Sequence, residues 1–168
     1  MASSFTTNYG FEEIATGEQS GSWGTTTNFN YDILDRIASY KSVALSDAST
    51  ATLTVREASP GSGTENLQDG MFRVIKFTGS LSQNCTITIA PNTTTSYFLF
   101  VNATNRSLIL SQGSGANVTI ATSSADIVYC DGAGSGAAVA SFLANSLVLG
   151  GFSTASATIT GGSITGIT

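Results

Sequence analysis

Carboxylates, hydroxyls and two thiols are the groups in this chain whose spacing bears on catalysis, and the sequence contains no histidine to activate them. That absence removes the Ser-His-Asp and Cys-His arrangements that activate a nucleophile. Cys85 and Cys130 each sit inside a strand-like run, Cys85-Thr-Ile-Thr-Ile89 and Asp126-Ile-Val-Tyr-Cys130. They read as small buried hydrophobes first and as a disulfide second. Two cysteines with scattered carboxylates are too few and too far apart for a zinc site. The glycines of Gly132-Ala-Gly-Ser-Gly136 are not followed by Gly-Lys-Ser/Thr, so they mark a turn rather than a phosphate cradle. Sugar hydrolysis needs two acids facing across a groove. The pairs available are Glu12-Glu13, Asp32/Asp35 and Asp126/Asp131, and spacing sets none of them across one. The expectation is a protein with no catalytic, cofactor-binding or metal-binding residues, and not an enzyme. The Asn-X-Ser/Thr sequons at Asn84, Asn92, Asn102, Asn105 and Asn117 are what an Asn/Ser/Thr-rich chain produces by chance.

Charge narrows the partners. Charged residues are 10% of the chain and the net charge is -5, against about a quarter charged in ordinary soluble domains. The cations Arg36, Lys41, Arg56, Arg73, Lys76 and Arg106 are scattered, which argues against a nucleic-acid footprint. No stretch approaches the ~20 apolar residues of a membrane span. The start Met1-Ala2-Ser3-Ser4 lacks the basic and apolar runs of a secretory signal, so synthesis and assembly in the cytoplasm are expected.

The elements follow from the same composition. There are 18 glycines, and Ser with Thr exceed a quarter of the residues, which suits short strands and tight turns. Residues 1–40 form an aromatic, glycine-spaced stretch with a helix over about 29–39. Asn28 would cap that helix, Asp32 would lie in its first turn, and Phe29, Ile33, Leu34 and Ile37 would share a face. Residues 41–142 read as a β-sandwich-like domain, with strands near 42–45, 51–56, 72–78, 85–90, 97–102, 107–111, 117–121, 126–130 and 137–140. Residues 143–168 end in Ile159-Thr-Gly-Gly-Ser-Ile-Thr-Gly-Ile-Thr168. One copy offers little to bury Ile159, Ile164 and Ile167, so the economical solution winds three copies about an axis as the start of an intertwined shaft. The alternative is an unstructured Gly/Ser/Thr tail. The expected fold is mainly β: an extended arm with a short helix, a sandwich and a trimeric shaft.

The run Asn8-Tyr-Gly-Phe-Glu12, then Gly21-Ser-Trp-Gly-Thr-Thr-Thr-Asn-Phe-Asn30, resembles the N-terminal segments of tail fibre proteins of tailed bacteriophages, marine and cyanobacterial ones especially. Phe77-Thr-Gly-Ser-Leu81, Cys85-Thr-Ile-Thr-Ile-Ala-Pro91, Tyr97-Phe-Leu-Phe-Val-Asn-Ala-Thr104 and Val128-Tyr-Cys-Asp-Gly132 are similar to phrases of that family. Such fibres usually continue into a longer shaft and a tip, whereas this sequence stops at the shaft's start. The resemblance implies a structural virion protein of the tail: a homotrimer contacting tail, adaptor or nozzle proteins, with a distal fibre component or a host-surface glycan as further partners and a role in host adhesion. Residues 1–27 would lie against the tail, with Tyr9, Phe11, Trp23 and Phe29 as docking side chains. Trp23 could equally pack on its own helix or sandwich. Two other classes stay open. One is a carbohydrate-binding sandwich using Tyr97 or Tyr129, and the other is a head-decoration protein.

Overall fold

Alternation of β-branched with small polar residues makes most of this chain pleat. The computed structural model describes residues 2–57, 59–62 and 66–142, so the expected shaft with Ile159, Ile164 and Ile167 lies outside the described residues. A short hairpin opens the chain, β1 (Ser4–Phe5) with β2 (Glu12–Glu13). Helix α1 (Trp23–Ile37) follows. The body is then built from β3 (Tyr40–Ala44), β4 (Thr50–Thr54), β5 (Val74–Thr78), β6 (Cys85–Ala90), β7 (Ser96–Asn102), β8 (Leu108–Ser111), β9 (Val118–Ile120), β10 (Ser124–Cys130) and β11 (Val139–Ser141). The molecule is mainly β, as expected.

The strand order, which spacing left open, is that of a two-sheet coil. One sheet has five strands in the order β11-β10-β7-β5-β3, and the other has four in the order β4-β6-β8-β9. From β3 to β8 the chain crosses between the sheets at every step. Neighbours within each sheet therefore run parallel, β3 with β5 with β7 and β4 with β6 with β8. The antiparallel strands β9, β10 and β11 finish the stack. Both sheets send alternate residues into one core. Leu53, Ile87, Ile89, Leu108 and Leu110 come from the smaller sheet, and Ile75, Phe77, Phe98, Phe100 and Val128 from the larger. The Phe98 and Phe100 rings stack at 4.9 Å, and Phe77 meets Phe100 at 5.4 Å. Cys85 and Cys130 are buried in this core as free thiols.

Asparagines fix the corners of the coil. Asn102 is fully buried, and its amide donates to the carbonyls of Arg106, Ile120 and Ala121 at 2.8, 3.0 and 3.1 Å. Its Oδ1 accepts from the Thr104 N–H and hydroxyl. Asn105 pairs with both backbone groups of Leu81, and Asn84 Oδ1 accepts from Ser107 N–H. Three of the sequon asparagines are thus structural, each replacing backbone pairing where the chain turns between sheets.

The helix departs from expectation at its start. It begins at Trp23, with Ser22 at the cap position making no side-chain capping bond. Thr25, Thr26 and Thr27, which precede the expected start near 29, lie inside it. Thr27 Oγ1 donates to the Trp23 carbonyl at 2.9 Å, and Thr26 Oγ1 bonds the Gln19 side chain. Asp32 therefore falls in mid-helix, away from the dipole's positive end, whereas Arg36 does lie in the last turn. The N-terminal stretch folds onto the body through several ties. Asn30 exchanges two 3.0 Å bonds with the backbone of Glu12. Asn8 Oδ1 accepts from Thr95, and Arg56 Nε donates to the Thr7 carbonyl. A 3₁₀ turn at Asp69–Met71 lies against both α1 and β4, and Asp69 pairs with Lys41 at 3.3 Å.

Candidate docking surface

The four aromatics proposed for docking separate into different environments. Tyr9 packs on the core, and its hydroxyl meets Ser96 Oγ at 2.6 Å. The Arg73 guanidinium stands 5.0 Å over the Tyr9 ring and 4.6 Å over that of Tyr97. Tyr9 therefore clamps the hairpin to β7. Phe11 is half-buried in the hairpin, where its N–H donates to Thr6 Oγ1 at 2.9 Å. Phe29 is also half-buried. Trp23 alone of the four is open to solvent, with 61% of its surface exposed.

Trp23 is not isolated on the surface. In a helix of 3.6 residues per turn, positions 23, 27, 31 and 34 fall on one side. Tyr31 and Leu34 are accordingly exposed by 63% and 56%. Thr26 and Ile33 are the buried residues on the other side. Leu34, expected beside Ile33 in the core, lies about 100° around the helix from it and faces water. An indole, a phenol and an isobutyl group thus form an apolar stripe on α1. Tyr31 and Leu34 were missed as site residues. Carrying the helical period back to Trp23 would have found them.

The remaining groups are held for structure. Glu12 and Glu13 point to opposite sides of β2: Glu12 is buried and bonded by Ser62 and Gln19, while Glu13 is exposed and accepts from Ser4 Oγ. Asp32 and Asp35 are exposed on α1. Asp131 is held below the ordinary carboxylate range because its Oδ1 accepts from the backbone N–H groups of Ala138 and Ala133, both at 3.0 Å. Asp126 accepts from the Ser141 hydroxyl. Asp47 is lowered by bonds from the Ser82 N–H and hydroxyl. Burial pushes the Cys130 thiol up to about 12, with Asp131 adding to it, and burial raises Cys85 as well. Both cysteines are therefore neutral thiols near pH 7.

Among the described residues there is no cluster of three or more His, Cys, Asp or Glu able to hold a metal, and no helix is long and apolar enough to cross a membrane. Comparison with family models, with curated proteins and with solved structures finds no match.

Proposed function

We propose that this chain is a structural component of a bacteriophage tail fibre, a homotrimer whose N-terminal helix docks the fibre on tail or adaptor proteins. The observation that supports this reading is the stripe of Trp23, Tyr31 and Leu34. Trp and Tyr are the residue types that dominate binding energy at protein interfaces. Here they stand on a helix whose Asn30 is tied to the backbone of Glu12 in the N-terminal hairpin and whose Thr26 is tied to the Gln19 side chain. The low charge and the β-coil body suit a stacked structural unit.

A carbohydrate-binding reading is favoured by one observation. Tyr97 and Tyr129 are directly opposed on neighbouring strands and are 59% and 45% exposed. The surface between them is lined by Ile127 and Phe142. It lacks the convergent polar groups that orient a sugar, so the fibre reading is preferred.

The test uses surface changes, because residues 1–27 include the hairpin, the Tyr9 clamp and the first turn of α1, and their deletion would remove folded structure together with Trp23. Replacing Trp23, Tyr31 and Leu34 together by Ala should leave the thermal midpoint nearly unchanged while reducing attachment to fibreless particles at least tenfold. Undiminished attachment of this variant would overturn the docking assignment.

A further inference from the structure

The two sheets present very different outer faces. On the four-stranded sheet the outward residues form hydroxyl rows: Thr50 beside Thr86, and Thr52 beside Thr88 beside Ser111. This is the alternation of a sheet with one wet face. On the five-stranded sheet the same alternation brings apolar side chains outward. Phe98 and Phe100 point into the core, so Tyr97, Leu99 and Val101 point away from it. In register, Tyr40 pairs with Val74, Val74 with Leu99, and Leu99 with Ile127. The N–H of Phe142 donates to the Ile127 carbonyl at 2.8 Å. One unbroken apolar row therefore crosses β3, β5, β7 and β10 and ends on Phe142, the residue after β11, with an aromatic at each end. Tyr97 and Tyr129 flank it on one side and Val101 and Ala125 on the other.

The run Tyr97-Phe-Leu-Phe-Val101 is the near-continuous pattern of a strand covered on both faces, yet among the described residues the sheet packing covers its inner face, leaving Tyr97 59% exposed. We infer that the outer face of the five-stranded sheet is the interface between copies of this chain. Three such faces meet around a common axis, with the direction from β3 to β11 running along it. The inference rests on the trimer in the proposed function and supplies its contact surface.

Three features favour a sister copy as the occupant. Lys76 is the one charged side chain among the outward positions of β3, β5, β7, β10 and β11, and the Arg73 guanidinium reaches the face only at its margin, held over the Tyr97 and Tyr9 rings, so identical faces meet with few like charges despite a net charge of -5. The second feature is area. With Tyr40, Tyr97, Tyr129 and Phe142 exposed by 55%, 59%, 45% and 62%, these rings alone offer roughly 400 Å². That is about half of what one partner commits to a standard interface, before the aliphatic residues between them are added. The third is chain direction. The described chain ends at Phe142 on this face, and residues 143–168, with Ile159, Ile164 and Ile167, continue from that corner.

The experiment is sedimentation equilibrium on the full chain, with far-UV circular dichroism as the folding control. The wild type should sediment as three copies. Leu99→Arg with Ile127→Arg, both on the outer face, should give a folded monomer. Tyr97→Ser with Phe142→Ser adds no charge, and should raise the trimer's dissociation constant at least tenfold even if the arginine pair impairs folding. A trimer that both variants leave intact would overturn this interface while leaving the fibre reading standing. A monomeric wild type would overturn the interface and the trimer together, whether its face binds host polysaccharide through Tyr97 or is shielded from labelling by its own residues 143–168.

Discussion

The most demanding single residue is Asn102, because it has five hydrogen-bonding contacts in a site without solvent. Its amide closes the β7–β8 corner and joins it to the end of β9. Replacement by Ala would leave the Thr104 N–H without the acceptor it has in Asn102 and remove a donor from the carbonyls of Arg106, Ile120 and Ala121, of which Arg106 retains the Thr104 hydroxyl and Ala121 the Ser124 N–H. Each buried group left unpaired costs about 1–3 kcal/mol, partly recovered by relaxation. Asn102→Ala should therefore lower the unfolding free energy by about 3 kcal/mol in a denaturant titration. Asn102→Asp should be no milder, since it sets a carboxylate oxygen against three carbonyls in nearly the same shape. An Asp variant as stable as wild type would show that the amide's donation does not hold the corner. Nothing in the sequence marks Asn102 apart from Asn92 or Asn117. All carry the same sequon, and only the turn between sheets distinguishes them.

At the scale of elements, packing of the 3₁₀ turn on β4 is a contact with little tolerance. A Cβ on Gly70 would lie 2.5 Å from the Thr54 carbonyl oxygen and 2.9 Å from Val55 Cα. Backbone cannot yield as a side chain can, so Gly70→Ala should cost about 2 kcal/mol. It should also raise amide exchange in β4, whose edge the turn covers, and normal protection there would argue that the turn contributes no shielding. Strands were the most legible elements. Cys85–Ala90 was read with the bounds the structure gives it, because Ile and Thr alternate cleanly there and the apolar set is buried. The pairing was not legible. Parallel neighbours 23 to 36 residues apart leave the same local pattern as hairpin partners, and Asn84, Asn102 and Asn105 hold the corners where the chain crosses between sheets. The hairpin of β1 and β2 was missed because two-residue strands have no period to detect. The helix start was missed because Thr25, Thr26 and Thr27 have weak helical preference, and it is tertiary contacts such as Thr26 with Gln19 that hold them.

Taken whole, the molecule has two ends. Five strands spaced ~4.8 Å apart set β3 and β11 about 19 Å from each other. The C-terminal end of α1 leads into β3 and lies over the β4 side through Arg36, Phe72 and the 3₁₀ turn, while the described chain leaves beside β11. In the proposed fibre reading, this arrangement would set the docking helix and the continuation of the chain at opposite ends. Stability should be distributed along the same line. Interior strands β5, β6 and β7 have a neighbour on each side and contribute Ile75, Phe77, Ile87, Phe98 and Phe100 to the core. By contrast α1 buries only Thr26 and Ile33 among its 15 residues and is otherwise held by polar ties. Local opening follows buried apolar contact. In hydrogen exchange, peptides from 23–37 should therefore open on the order of tenfold or more often than peptides from 96–102. Binding of the helix stripe to a tail partner would then slow exchange in 23–37 and leave 96–102 unchanged. Equal protection of the two segments in the unbound protein would mean that the hydrogen bonds to Asn30 and Thr26 lock the helix as firmly as the core locks β7, and the graded picture of the molecule would have to be replaced by a single cooperative block.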